Sequence, residues 1–235
     1  MVQQLNNYWV SEADKFHQID NVEREILLPY VANLINDIAP KKMLDFGCGN
    51  AYLSSLINSG TEISLYDINP SFIELHKQWN IKNEIKPILS KEEIPDEHFD
   101  IVVQTSVLMC IPNIKSIKEI FHSNNKSLKK DGVLLIVITH PCFLQYEFGH
   151  YHTSFNQENF QYLKDGLEYS VYMKQKNAET IIFTDYNWSL STIINELIKA
   201  DFTLNHIVEH PDLESKDYKS NGLVPSWLFI KAKKN

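Results

Sequence analysis

The residues best suited to chemistry lie in one short segment, where an acidic residue is followed by two closely spaced glycines. Asp45 comes after the apolar pair Met43 and Leu44, and Gly47 and Gly49 stand two and four residues after it. The pattern predicts a buried strand, a tight turn and a helix start. Glycines let a ligand approach the main chain, and free N–H groups at a helix start attract electron-rich ligand atoms. This segment is therefore a candidate ligand site.

Two features argue against a dinucleotide in this turn. The dinucleotide fingerprint has a third glycine three residues after the second, whereas this chain has Tyr52 there. The carboxylate of Asp45 would also repel a pyrophosphate, but it would attract a cationic group. S-adenosylmethionine carries an α-ammonium and a sulfonium and needs no pyrophosphate site. The remaining interpretation is a tight turn that binds no ligand.

The same segment resembles the first motif of the class I S-adenosylmethionine-dependent methyltransferases, which has the form acidic-x-Gly-x-Gly-x-Gly. Ala51 stands in place of the last glycine. The resemblance covers nearly all of residues 40–235 and implies S-adenosylmethionine as the cofactor. It also implies an α/β, Rossmann-like fold with a seven-stranded, mostly parallel sheet, helices on both faces and an antiparallel last strand.

Further candidate cofactor contacts follow the next strands. Asp67 lies 20 residues after Gly47, where an acidic side chain accepts hydrogen bonds from ribose hydroxyls; a surface aspartate is the alternative. By resemblance, the turn that begins at Ser90 flanks the adenine, although the family usually has Asp there. The predicted cofactor-binding residues are Asp45, Gly47, Cys48, Gly49, Asp67, Ile68, Asn69, Ser90, Lys91, Glu92, Gln104 and Thr105.

One residue is a candidate catalytic base, which methyl transfer needs only when the acceptor is a hydroxyl or a protonated amine. His140 titrates near neutral pH and follows the predicted strand 133–138 at its carboxyl end. The alternative is a structural histidine that holds the turn at Pro141. We expect no metal site, because His150 and His152 alone do not make one.

Residues 141–188 contain 12 of the 27 aromatic residues, about twice their share by length. We interpret this stretch as an insertion that caps the carboxyl edge of the sheet, with a hairpin of 167–173 and 178–184. Phe143 and Tyr186 are its candidate acceptor contacts; the alternative is that the aromatics only build the insertion's own core. Residues 1–39 are predicted to form a helical lid, in which Tyr8 and Trp9 contact the substrate or pack on the core.

The remaining pattern supplies the elements that would position these residues. Apolar residues recur every four positions over 21–38, which predicts a helix, and Pro29 is expected to kink or split it. Ser189 or Ser191 is predicted to cap the last helix. Other helices are predicted at 51–58, 69–79 and 113–128, and strands at 63–66, 85–89, 99–104, 133–138, 202–208 and 227–232. Together, residues 40–235 form the predicted methyltransferase domain.

Composition limits the possible partners. A net charge of −8 argues against a nucleic acid as the main partner. The sequence has no apolar run near 18 residues and no cationic, apolar leader, so we expect neither a membrane span nor export. Three cysteines without metal-ligand spacing fit a reducing cytoplasm. The sequence does not indicate an oligomeric state.

These observations predict a cytoplasmic class I methyltransferase that acts on an O or N atom of a small, aromatic or apolar metabolite. No Asn-Pro-Pro-aromatic run follows the strand 99–104, which argues against methylation of nucleobase or amide nitrogens. The alternatives are methylation of a protein or a tRNA, and a catalytically silent module that binds S-adenosylmethionine.

Overall fold

The computed structural model describes residues 23–148, 151–155, 160–174, 180–211 and 224–235. Its main sheet has seven strands in the order β3-β2-β1-β4-β5-β10-β9. Strands β1 to β5 run parallel to one another, and β10 lies antiparallel between β5 and β9. This confirms the predicted Rossmann-like sheet with its antiparallel last strand. No helix of the described residues is long and apolar enough to span a membrane.

The described residues include five α-helices around the main sheet, and a second sheet follows β5 in the chain. The main-sheet strands are β1 Lys42–Phe46, β2 Glu62–Tyr66, β3 Ile85–Ile88, β4 Phe99–Thr105, β5 Leu128–Thr139, β9 Phe202–Pro211 and β10 Pro225–Lys234. The helices are α1 Leu28–Ile38, α2 Tyr52–Ser55, α3 Pro70–Glu74, α4 Ile114–Ser127 and α5 Leu190–Lys199. The second sheet consists of β6 Tyr151–Phe155, β7 Leu167–Lys174 and β8 Thr180–Asn187.

Both faces of the main sheet are covered, which explains why its central strands read as continuous apolar runs. Successive side chains of a strand point to opposite faces, so Leu44 and Met43 belong to two different cores. The core around Leu44 includes apolar residues of α4 and α5, such as Phe121 and Leu197. The core around Met43 includes the apolar side of α1. The predicted two-sided arrangement of helices is therefore confirmed.

The first described segment divides at Pro29, as its position predicted. A wider, π-helical turn spans Glu23–Leu27, and the regular helix α1 begins at Leu28 with the proline in its first turn. A proline is tolerated there because the N–H that it lacks has no partner within the helix. Other boundaries differ from the sequence expectation: α2 is only four residues long, and β5 begins directly after α4.

The second sheet confirms the predicted hairpin and adds one strand to it. Strands β7 and β8 pair antiparallel from Leu167↔Asn187 to Lys174↔Thr180, and β6 pairs with β7. Apolar side chains of this sheet form their own small core, which includes Phe148, Tyr169 and Phe183. Two contacts on the N-terminal side of α5 fix the chain where it leaves this sheet. Trp188 Nε1 donates a hydrogen bond to Ile111 O at 3.0 Å, and the hydroxyl of Ser189 caps the helix.

His140 stands at the carboxyl end of β5, and its imidazole makes hydrogen bonds to other residues of the fold. The ring is 1% exposed, Nδ1 accepts a hydrogen bond from Cys142 N at 3.2 Å, and Nε2 donates to Glu209 Oε1 of β9 at 2.8 Å. Burial lowers the pKa of the imidazole from its ordinary value, and the Glu209 carboxylate opposes that shift. Both ring nitrogens are hydrogen-bonded within the fold, and His140 is not among the residues that line the cavity described below. These contacts support the alternative of a structural histidine that holds the turn after β5, and the role of general base stays a prediction.

We predict that His140→Gln lowers the free energy of unfolding by about 1–3 kcal/mol, because a buried hydrogen-bond partner is lost. Urea unfolding measures this change. The shape of the pH–rate profile should stay the same. A hundredfold lower kcat at unchanged stability would instead identify His140 as the base.

Candidate functional site

One cavity of about 660 Å³ opens at the carboxyl edge of the parallel strands. This is the edge at which open α/β sheets bind their ligands, and the volume lies within the range of small-molecule sites. Residues of the glycine turn, such as Gly47, line one part of it, and residues of the second sheet, such as Val171 and Phe183, line another. The cavity therefore connects the predicted cofactor residues with the second sheet.

The turn after β1 has a backbone that requires glycine. Gly47 has a φ of +77°, and its N–H donates to Tyr66 O at 2.7 Å. A Cβ at this position would lie 2.5 Å from Val107 Cγ2. Ala51, which replaces the last glycine of the motif, also has a positive φ of 58°. The departure in sequence thus keeps the left-handed backbone that glycine adopts more easily.

Asp45 is the first of two carboxylates beside this turn. It is 3% exposed, lines the cavity and accepts a hydrogen bond from Ser54 Oγ at 2.9 Å. Burial raises its pKa to about 7, the hydroxyl of Ser54 opposes this, and the charge of Asp67 adds to it. A ligand that brings a positive charge would therefore favour the ionised carboxylate.

Asp67 is the second carboxylate, and it connects the ends of β1 and β2. Its Oδ2 accepts from Gly49 N at 3.0 Å, and its Oδ1 accepts from Asn69 N at 2.9 Å. Burial raises its pKa to about 6, against the effect of these backbone donors. Each carboxylate oxygen has a further lone pair, so the side chain can still accept hydrogen bonds from hydroxyl groups in the cavity.

The structure brings most of the other predicted cofactor residues to the same cavity. Those that line it are Gly47, Cys48, Gly49, Ile68, Ser90, Lys91, Glu92 and Thr105. Asn69 is not among its lining residues and caps α3, where its side chain accepts from Ser71 N at 3.0 Å. Gln104 is fully buried outside the lining, and its amide has no hydrogen-bond partner within the described part of the chain. Their direct contact with a cofactor is therefore not supported.

The acceptor contacts chosen from the sequence do not reach the cavity. Phe143 packs against the His140 ring at a centroid distance of 4.8 Å, and Tyr186 packs against the core beneath α5. The cavity is lined instead by Phe183 and Asp185, which point to the other face of β8. Tyr8 and Trp9 lie outside the described residues, so their predicted contacts stay predictions.

The first described residues also border the site. Glu23 lines the cavity and accepts a hydrogen bond from Ser106 Oγ at 3.2 Å. The guanidinium of Arg24 lies 4.8 Å from the ring centres of both Tyr52 and Trp79, a distance at which cation–π attraction holds. These contacts fix the N-terminal segment beside the glycine turn. No motif in the sequence indicated Glu23 as a cavity residue.

The residues present fit S-adenosylmethionine. The carboxylate of Asp67 can accept from ribose hydroxyls, and the carboxylate of Asp45 lies where an ammonium would offset its buried charge. The missing Cβ of Gly47 leaves room for Val107, so the left-handed turn can lie beside the end of β4. Since a pyrophosphate would add negative charge beside both carboxylates, the same site does not suit a dinucleotide.

We predict that Gly47→Ala weakens S-adenosylmethionine binding by at least tenfold, because the new Cβ forces Val107 or the turn to move. The left-handed φ should also cost about 1–2 kcal/mol of stability. Gly60→Ala is the matched control, since Gly60 has a φ of +103° and nothing within 4 Å of an added Cβ. Calorimetric titration of both variants separates steric from conformational effects; equal affinities would contradict the prediction.

Comparisons with known proteins agree with this geometry. The model of a methyltransferase-domain family matches residues 39–182, which is more than half of the chain. An uncharacterized protein of Haemophilus influenzae is 25% identical over 88% of this chain and 86% of its own length. A ubiquinone biosynthesis O-methyltransferase of Glaesserella parasuis is 31% identical over 56% of this chain and 65% of its own length.

A solved structure shows the same fold with the cofactor in place. The S-adenosylmethionine-bound amino pentose methyltransferase CalS10 of Micromonospora echinaspora has a TM-score of 0.57, with 12% identity over 97% of this chain and 92% of its own. The sheet order, the glycine turn and the family match lead to one conclusion. The chain belongs to the methyltransferase-domain family and is a class I S-adenosylmethionine-dependent methyltransferase.

Proposed function

We propose that the protein methylates an O or N atom of a small metabolite that carries a ring or another apolar group. The observation that carries this proposal is the continuous cavity, which joins the glycine turn to the second sheet. Its apolar lining includes Tyr169, Val171 and Phe183, which suits a small apolar acceptor. The names of the two methyltransferases compared above also concern small molecules.

In this proposal the cofactor residues are those around the glycine turn. Asp67 accepts hydrogen bonds from the ribose, Asp45 faces the ammonium group, and Gly47 and Gly49 leave room for the methionine part. When bound, S-adenosylmethionine supplies an electrophilic methyl group. The protein's main task is then to align the acceptor and to exclude water, and such positioning can contribute up to ~7–11 kcal/mol.

The acceptor is enclosed from two sides in this proposal. The second sheet acts as the cap, because its inner face lines the cavity opposite the parallel strands. The segment at Glu23 approaches from the other side, as part of the proposed N-terminal lid. Together these two segments border a cavity of about 660 Å³, a volume that suits a small metabolite better than a folded protein or a tRNA stem.

A transfer assay tests this function. The protein is incubated with S-adenosylmethionine labelled in its methyl group and with a metabolite extract, a protein extract or bulk tRNA. We expect label in the small-molecule fraction. Label in protein or tRNA would contradict the proposed acceptor class, and cofactor binding without any transfer would favour a silent binding module.

We predict that Val171→Phe raises the KM of the acceptor identified in this assay by about tenfold or more, since one extra methylene in an apolar pocket already changes specificity by 10–200-fold. Affinity for S-adenosylmethionine should not change. Ile182→Phe is the matched control, because this β8 side chain is 54% exposed and not part of the cavity lining. An unchanged KM in Val171→Phe would place the acceptor elsewhere.

A further inference from the structure

Asp185 is an acidic residue of the cavity that cofactor binding does not explain. It stands on β8 opposite Tyr169 of β7, lines the cavity and is 2% exposed. Within the described part of the chain its hydrogen-bond partner is the thiol of Cys110, with Sγ and Oδ1 3.7 Å apart. The same thiol also lies 3.4 Å from Ser106 O, so its single proton is shared between two acceptors.

Among the residues that the structure describes, no cation compensates this buried carboxylate. The groups that act on its pKa are its burial, the charge of Glu23 and the thiol of Cys110; the net effect raises it to about 7. Two lysines, Lys91 and Lys115, line the cavity. Lys115 is exposed, and its Nζ lies 3.9 Å from Glu119 Oε1. Neither lysine is among the groups that shift the pKa of Asp185. An ionised carboxylate without a cationic partner is costly in a buried site.

Glu23 adds a second carboxylate to the same part of the cavity. Its own pKa is raised by burial, and the Ser106 hydroxyl opposes that shift. Cys110 and Ser106 lie between the two carboxylates: the thiol contacts Asp185 and Ser106 O, and Ser106 Oγ donates to Glu23. Burial raises the pKa of the Cys110 thiol, and the charges of Asp185, Glu23 and the cofactor residue Asp67 raise it further. A group that binds between Asp185 and Glu23 is therefore also close to the cofactor side.

We propose that the methyl acceptor is an amine, which binds as an ammonium group against Asp185 and Glu23, and that Asp185 accepts the proton that its nitrogen must release. This inference rests on the proposed function and narrows its acceptor class. A neutral hydroxyl group would donate one hydrogen bond and leave both carboxylates without a compensating charge. An ammonium group supplies a positive charge and up to three donors.

The proton transfer balances within the site. An ammonium nitrogen has no lone pair and cannot attack a methyl group. Transfer of one proton from the nitrogen to an oxygen of Asp185 leaves the electron pair on the nitrogen and turns the carboxylate into a carboxylic acid. A pKa of about 7 lets Asp185 hold this proton at neutral pH, and the proton passes to water when the product leaves.

Binding measurements test the inference without turnover. The protein is saturated with S-adenosylhomocysteine and titrated with matched pairs of probes: benzylamine and benzyl alcohol, 2-phenylethylamine and 2-phenylethanol, cyclohexylamine and cyclohexanol. We expect each amine that binds to do so at least about tenfold more tightly than its alcohol, the scale of one hydrogen bond to a charged group. Asp185→Asn should abolish this preference and leave S-adenosylhomocysteine affinity unchanged.

Glu168→Gln is the matched control, because it removes one negative charge from an exposed position of β7 outside the cavity lining. Glu23→Gln is a second test variant and should also weaken amine binding. The inference is overturned if no amine binds, if alcohols bind as tightly as amines, or if Asp185→Asn keeps the preference. Failure to bind S-adenosylhomocysteine would instead overturn the proposed function.

Discussion

Three carboxylates buried at the carboxyl edge of the sheet are the constraint on which the site depends. Asp45, Asp67 and Asp185 are 3%, 8% and 2% exposed. Within the described residues, their hydrogen-bond donors are a hydroxyl, backbone N–H groups and a thiol, with no lysine or arginine among them. Burial without a cation raises the pKa of each. The site is therefore prepared for ligands that bring positive charge, as S-adenosylmethionine does.

The topology explains why these groups meet. Strands β1, β2 and β4 run parallel and adjacent, so their carboxyl ends lie at one edge of the sheet. The left-handed turn at Gly47 keeps the main chain clear of Val107, which follows β4. The second sheet follows β5 in the chain, and the contact of Trp188 with Ile111 holds the end of β8, which carries Asp185 into the same cavity. The lining of the cavity thus comes from the ends of the parallel strands and from the second sheet.

The sequence predicted the parts of the site that depend on local backbone chemistry. Gly47 and Asp67 sit at strand ends that apolar runs and turn residues define, so their places followed from spacing. Asp185 lines the cavity and its neighbour Tyr186 does not, because neighbouring side chains of a strand point to opposite faces and the register of β8 depends on its partner. His140 was at the expected strand end, but its orientation depends on Glu209, which lies 69 residues further along the chain.

Calorimetric titration of the purified protein with S-adenosylmethionine and with NAD, at pH 8 and at pH 5, tests the central claim most directly. Binding to Asp45 and Asp67 requires their ionised forms, and their pKa values are about 7 and about 6. Protonation below these values should weaken binding. The account predicts that S-adenosylmethionine binds well at pH 8 and more weakly at pH 5, and that NAD does not bind. Binding of NAD in place of S-adenosylmethionine, or equal affinity for S-adenosylmethionine at both pH values, would contradict it.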